Sequence, residues 1–290
     1  VRSFYNKLLE EGNLRKPGTG LSPASLKQVH NIVRQTLEWA FEEGWLASDF
    51  YRKLKVKQAR TLERKVMSTA DAIKFYRPCK EHHLGQAFRL ALLYGLRRGE
   101  VLGLKWDKVF QKKGEVHIHR TLSQGKNGLR LGPTKTDGSK RELPTFDAVD
   151  HVLNNARSEV QVWRDGKGKQ FNAEDYVFFS IKGNPVDPRG FVRQFHTLLK
   201  QLDIPRIAFH DLRHSTSSIL ELLGVPLRTR MAILGHSDYR TGLKYTHVMP
   251  GTLKKDLEKI GKLLTRMDDE TIDVDEFIEN CRKTVVNGGV

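Results

Sequence analysis

The sequence predicts a mainly α-helical protein in two parts: a small helical module, then a larger helical domain carrying a small antiparallel β-sheet. Three observations predict it. Apolar residues recur at helical spacing through most of the 290 residues. Alternating, strand-like text is confined to a short Gly-punctuated region at 116–145. A basic stretch with few apolar anchors, 55–65, separates the first part from the rest. A chain of this length also exceeds the roughly 150 residues typical of one domain.

The first element is SFYNKLLEEG, a short helix stopped by Gly12, and the Pro/Gly-rich RKPGTG joins it to the next. There Ser22 serves as cap, Pro23 fits the first helical position, and Val29, Val33, Leu37, Ala40 and Phe41 follow helical spacing until Gly44. A third short helix is expected at Asp49. Residues 1–54 thus form a helical module, and because the chain opens on Val1 rather than Met, its first element is expected to be truncated. In 55–65 the bases Lys55, Lys57, Arg60, Arg64 and Lys65 face the single acid Glu63, the composition of a solvated linker that can also follow a phosphate backbone.

Ser68 then caps a helix with Asp71 at its third position, an Asp version of the capping box. Helices follow at about 84–93, where QAFRLALLYG has a strongly apolar face, and 98–104. The stretches 116–122, 129–136 and 139–145, separated by turns at Gly125/Gly128 and Asp137-Gly138, read as one sheet of three strands. Helical text resumes at 147–163; 176–181 is a buried strand or core segment, and further helices are expected at about 188–202, 211–223, 226–234, 239–248 and 252–265. Trp39, Trp45 and Trp106 are expected in the core. The acidic tract 268–279 carries seven acids and no base.

Lys and Arg number 50 and Asp and Glu 34, a formal charge of +16 that favours a polyanionic partner. No apolar run approaches the roughly 20 residues of a membrane helix, and no signal peptide opens the chain, which argues against insertion in a membrane. Two distant cysteines, Cys79 and Cys281, offer neither a metal spacing nor a disulfide framework, so a cytoplasmic location is expected.

Polar residues stand where a helical domain would prefer apolar ones in GLRRGE (95–100), PTKTDG (133–138), HDLRHS (210–215) and LGHSDYRTGLKYTHV (234–248). Together these resemble the motifs of the tyrosine recombinases, the phage-type integrases, over about 63–248. The Gly-Leu-Arg turn matches Arg97, with the accompanying acid at Glu100. The hairpin lysine matches Lys135, His-x-x-Arg matches His210 and Arg213, and Leu-Gly-His-Ser matches His236. Tyr245, nine residues after His236, stands at the family's nucleophile.

The chemistry suits these residue types. Attack on a phosphodiester spreads negative charge over a five-coordinate phosphorus, so catalysis is positioning and electrostatic stabilisation. Arg97 and Arg213 can clamp the non-bridging oxygens with forked hydrogen bonds that lysine cannot copy. Tyr245 supplies the phenol that becomes covalently bound, Lys135 protonates the leaving 5′-oxygen, and His210 and His236 donate to the phosphate and help deprotonate the phenol. Glu100 orients Arg97, and Asp211 orients or caps rather than reacts.

The resemblance implies a DNA breaking-rejoining fold: a core-binding domain at 1–54, a linker at 55–65, a catalytic domain at 66–250, and a C-terminal helix and acidic tail at 251–290 packing on its own domain or on a neighbouring subunit. It implies a 3′-phosphotyrosine link with no metal, nucleotide or other cofactor. Its partners would be double-stranded DNA, contacted in part by the linker bases, further copies of the chain in a tetramer, and accessory DNA-bending or directionality factors. A type IB topoisomerase would share the residue types, though Leu-Gly-His-Ser and the helical module count against it. An inactive DNA-binding protein would not need the full constellation.

Overall fold

The computed structural model describes residues 1–56, 66–134, 139–235, 249–265 and 276–281. They form two compact units, Val1–Arg64 and Lys65–Val290.

In the first unit, α1 (Arg2–Glu11) packs on α2 (Pro23–Glu42). Ser22 caps α2 by accepting the Ser25 backbone N–H at 3.2 Å, with Pro23 at the first helical position. The contact between the two helices includes a buried polar pair, the Tyr5 hydroxyl 3.0 Å from His30 Nδ1. The helix expected at Asp49 is a single 3₁₀ turn, Phe50–Lys53, whose Tyr51 is buried. Trp39 and Trp45 correct the expectation of burial: they are 50% and 69% exposed and lean edge-to-face on one another, ring centres 4.9 Å apart.

The second unit is built around α4 (Gly85–Tyr94), nine of whose residues are buried. Around it pack α3 (Thr69–Tyr76), α5 (Arg98–Leu102), α6 (Asp147–Lys167), α8 (Phe209–Leu222) and α10 (Pro250–Thr265). Ser68 Oγ caps α3 by accepting the Asp71 N–H at 3.0 Å and donating to Asp71 Oδ2 at 2.7 Å. The helix α7 (Pro188–Gln201) contributes Phe191 and Phe195 to an aromatic cluster with Phe75, Phe88 and Phe209. After α8 comes α9 (Leu227–Leu234). The apolar stripe of α10 (Leu253, Leu257, Ile260, Leu264) is buried within its own unit, and Phe277, Ile278 and Cys281 of the helical turn at 276–281 pack on the same core.

The strand region departs from expectation. The stretch read as one strand at 116–122 is two, β2 (Glu115–Ile118) and β3 (Arg120–Gly125), broken at His119. Antiparallel β2 pairs with β1 (Val109–Phe110) on one side and β5 (Arg141–Pro144) on the other, while β3 and β4 (Gly128–Pro133) form a separate hairpin. In the three-stranded sheet Val116 and Leu143 face the core as a pair, and His117 and Glu142 pair on the outer face. The segment 176–181 is buried at 176–179 without joining a sheet, making only isolated bridges to Lys105 and Pro185. The helix expected at 239–248 lies outside the described residues. Among the described residues no helix is long and apolar enough to cross a membrane.

Candidate active site

Gly95 ends α4 in the left-handed region (φ +60°), and a Cβ there would run into Leu234 Cδ2. This turn delivers Arg97 to the N-cap of α5 in extended conformation. Glu100, in the first turn of α5, reaches back to it. Its Oε2 accepts the Arg97 backbone N–H at 2.9 Å, and its Oε1 accepts Arg97 Nη1–H at 2.7 Å. Arg97 Nη2 donates to the carbonyl of Gly235, the left-handed cap of α9, at 3.1 Å. About a third of the Arg97 side chain (35%) still meets solvent.

A second arginine holds the same carboxylate. Arg141 Nη2 donates to Glu100 Oε2 at 2.9 Å, its Nε to the Ile233 carbonyl at 2.7 Å, and its Nη1 to the Ser139 carbonyl at 3.1 Å. Glu100 is 3% exposed. Burial pushes its carboxyl up, but Arg141, and then Arg97, outweigh that and hold its pKa below the ordinary carboxylate value. One buried anion thus fixes two guanidiniums and, through them, the end of α9.

Arg213 sits within α8 and is 2% exposed. Its Nη1 donates to the Gly95 carbonyl at 2.8 Å, while its buried Nη2 has no hydrogen-bond partner among the described residues. Burial, then the nearby Arg97 and Arg141 cations, press its pKa down to about 9, which leaves it charged at neutral pH. A buried cation with an unanswered donor is costly, and the cost is relieved by an anion.

His210 lies near the start of the same helix, exposed, its ring centre 5.4 Å from that of His214. Partial burial, then His214, Arg213 and Arg97, lower its pKa, with Asp211 opposing, so His210 is neutral at pH 7 and able to accept a proton. Asp211 Oδ2 accepts the Ala208 backbone N–H at 3.1 Å and thereby caps α8.

The structure brings together Arg97, Glu100, His210 and Arg213. Lys135, His236 and Tyr245 lie outside the described residues, as do Lys57, Arg60, Arg64 and Lys65 of the linker; Lys55 is described and exposed. The described residues nearest Lys135 and His236 are held in place. Thr134 and Ser139, on either side of the segment with Lys135, are both buried. The Thr134 N–H donates to the His119 carbonyl at 3.3 Å. Gly235, tied to Arg97, immediately precedes His236.

The residue of the site that sequence reasoning misses is Arg141, which acts by holding Glu100. Its signal was present: in RELP the alternation places Arg141 on the inward side with Leu143, and a charge at an inward strand position needs a buried counter-charge. Together, two guanidiniums, one part-exposed and one buried with a donor unmatched among the described residues, beside an imidazole of lowered pKa, offer the donor set that a tetrahedral oxyanion such as a phosphodiester takes.

The chain is similar to known proteins of one family. The model described as "Phage integrase family" matches residues 60–251. The tyrosine recombinase XerC-like protein of Caldanaerobacter subterraneus subsp. tengcongensis is 28% identical over 282 residues, covering 91% of this chain and 70% of the relative. The ICEBs1 integrase of Bacillus subtilis is 24% identical over 264 residues, covering 85% and 67%. Among solved structures, the Tn1549 transposon integrase (residues 82–397) in complex with a circular intermediate DNA superposes with a TM-score of 0.65 at 17% identity, over 83% of this chain and 80% of that one. A lambda integrase tetramer bound to a Holliday junction superposes with a TM-score of 0.54 at 18% identity, over 77% and 62%.

Proposed function

The chain belongs to the phage integrase family, and from that membership we propose how its residues divide the work of a mobile-element site-specific recombinase. The protein is a tyrosine-type DNA recombinase that cleaves and rejoins DNA through a 3′-phosphotyrosine. The Tyr245 oxygen attacks the scissile phosphorus and the sugar 5′-oxygen leaves, so the bond energy is kept in the phosphotyrosine and rejoining needs no nucleotide. The phenol proton passes to a histidine, His210 or His236, and Lys135 gives a proton to the departing 5′-oxygen. Arg97 and Arg213 hold the non-bridging oxygens as charge builds on them.

The observation that carries this reading is the Nη2 of Arg213, without a hydrogen-bond partner among the described residues and buried beside an Arg97 already oriented by Glu100. Such a site is organised before the anion arrives, which is what electrostatic stabilisation of a transition state requires. Double-stranded DNA is the partner we assign, with Lys55, Lys57, Arg60, Arg64 and Lys65 following its backbone between a core-binding and a catalytic domain. The working assembly is a tetramer on the junction formed by two recombining duplexes, helped by accessory DNA-bending or directionality proteins.

The decisive experiment uses a nicked suicide substrate that traps the covalent adduct. Wild-type protein should give a tyrosine-linked species; Tyr245→Phe should give none while still shifting the DNA in a gel. An undiminished adduct in Tyr245→Phe would overturn the assignment.

A further inference from the structure

We propose that His117, His119 and Glu142 form a binding site for a zinc-like divalent transition-metal ion on the outer face of the three-stranded sheet, separate from the phosphate clamp. One donor atom from each of the three lies within 4.8 Å of those of the other two. Zinc bonded to nitrogen and oxygen at about 2.0–2.2 Å separates its ligand atoms by roughly 3.4 Å in a tetrahedron, so side-chain rotations close the remaining gap. His117 and Glu142 are already near that spacing, with Nδ1 and Oε1 3.7 Å apart.

The backbone builds this juxtaposition. His117 and Glu142 are direct cross-strand partners of β2 and β5, and His119, two residues on, stands at the break between β2 and β3. The surroundings are those of a ligating histidine. Glu115 Oε2 lies 3.2 Å from His117 Nε2, so the nitrogen facing away from Glu142 has a carboxylate to fix the ring and its tautomer. The Phe110 ring lies against His117 with centres 4.5 Å apart.

Donor chemistry selects the ion. Lys108 and Lys140 lie close enough to His119 to act on it electrostatically, and they offset the charges of Glu115 and Glu142. Calcium and magnesium, which need several hard oxygens, gain little here, whereas two imidazoles and a carboxylate suit zinc, cobalt or nickel. A bound ion would cross-link β2 to β5. The His119 carbonyl holds Thr134, the residue before Lys135, and Glu142 adjoins Arg141, so the ion would stiffen the two anchors of the Lys135 segment.

The test is calorimetric titration of the metal-free full chain with zinc chloride, paralleled by cobalt(II) chloride read in the visible spectrum. One ion per chain should bind, with the intense absorption of tetrahedral cobalt. His119→Ala and Glu142→Gln should each weaken binding at least about tenfold and abolish that absorption, and Glu115→Gln should weaken it about tenfold. His210→Ala should bind as wild type does. Glu142 is 59% exposed, so Glu142→Gln should fold normally, with an unchanged circular dichroism spectrum. No saturable binding, binding unchanged in both His119→Ala and Glu142→Gln, or binding lost only in His210→Ala would each overturn the site.

Discussion

Arg141 and Arg213 are both buried, 9% and 2% exposed, yet the fold surrounds them in opposite ways. Every nitrogen of Arg141 is answered from inside the protein, by the Glu100 carboxylate and by the carbonyls of Ile233 and Ser139. Arg213 receives one carbonyl, from Gly95, and no carboxylate hydrogen-bonded to it among the described residues. The first is a structural cation whose charge is neutralised in place. The second has no carboxylate bonded to it among the described residues, and in the proposed mechanism its counter-ion is the DNA phosphate. Burial alone does not separate the two roles; the count of satisfied donors does.

The contrast is tested most strongly at Arg141. Arg141→Ala leaves Glu100 buried without its main partner and should lower the unfolding free energy by about 3–5 kcal/mol, read by urea denaturation. Joining Arg141→Met to Glu100→Leu should recover much of that stability, while cleavage stays impaired because Arg97 has lost its anchor. Arg213→Ala should do the reverse. Adduct formation should fall about 10²–10³-fold, while stability drops by no more than about 2 kcal/mol, because one hydrogen bond is lost and a buried charge removed. A stability loss in Arg213→Ala equal to that in Arg141→Ala would erase the distinction.

A pH titration sharpens it further. The Glu100 pKa is lowered in the folded protein, so the unfolded chain binds its proton more readily. Its contribution is therefore complete above the ordinary carboxylate value and is lost as pH falls through the folded value. The unfolding free energy of Glu100→Gln should fall less steeply than wild type below about pH 5. The smallest effect is expected far from both arginines. Ser68→Ala removes the cap of α3 and should cost about 1 kcal/mol without changing cleavage.

Much of this was legible in the sequence because its signals are local. The cap at Ser22, the Ser68–Asp71 pair, and the approximate spans of the helices from 84 to 234 rest on spacing within a few residues. Arg97, Glu100, His210 and Arg213 were singled out because four polar stretches resemble a family pattern, and the structure brings those four side chains together. What was missed depends on contacts distant in sequence. The break at His119 is set by two different pairing partners, β5 for one side and β4 for the other, which no local alternation reveals. The part played by Arg141 depends on Glu100, forty-one residues away, and on the Ile233 carbonyl, ninety-two residues away. Large aromatics are usually buried, which is why the sequence points Trp39 and Trp45 to the core; in this unit they lean edge-to-face on one another and stay exposed.

The Gly235 turn has a further consequence. Its φ is +63°, a Cβ on it would lie 2.9 Å from Arg141 Nη1, and its carbonyl is bonded to Arg97. Tyr245 follows ten residues later along the chain. In the mechanism proposed above, the attacking tyrosine is therefore joined by ten residues to a point fixed on Arg97, one of the two arginines assigned to its target phosphate. At about 3.3–3.6 Å per extended residue, ten residues set an outer radius of roughly 35 Å for the Tyr245 Cα. On that proposal, the number of residues between Gly235 and Tyr245, and not only the side chains of the site, bounds which phosphates the tyrosine can meet.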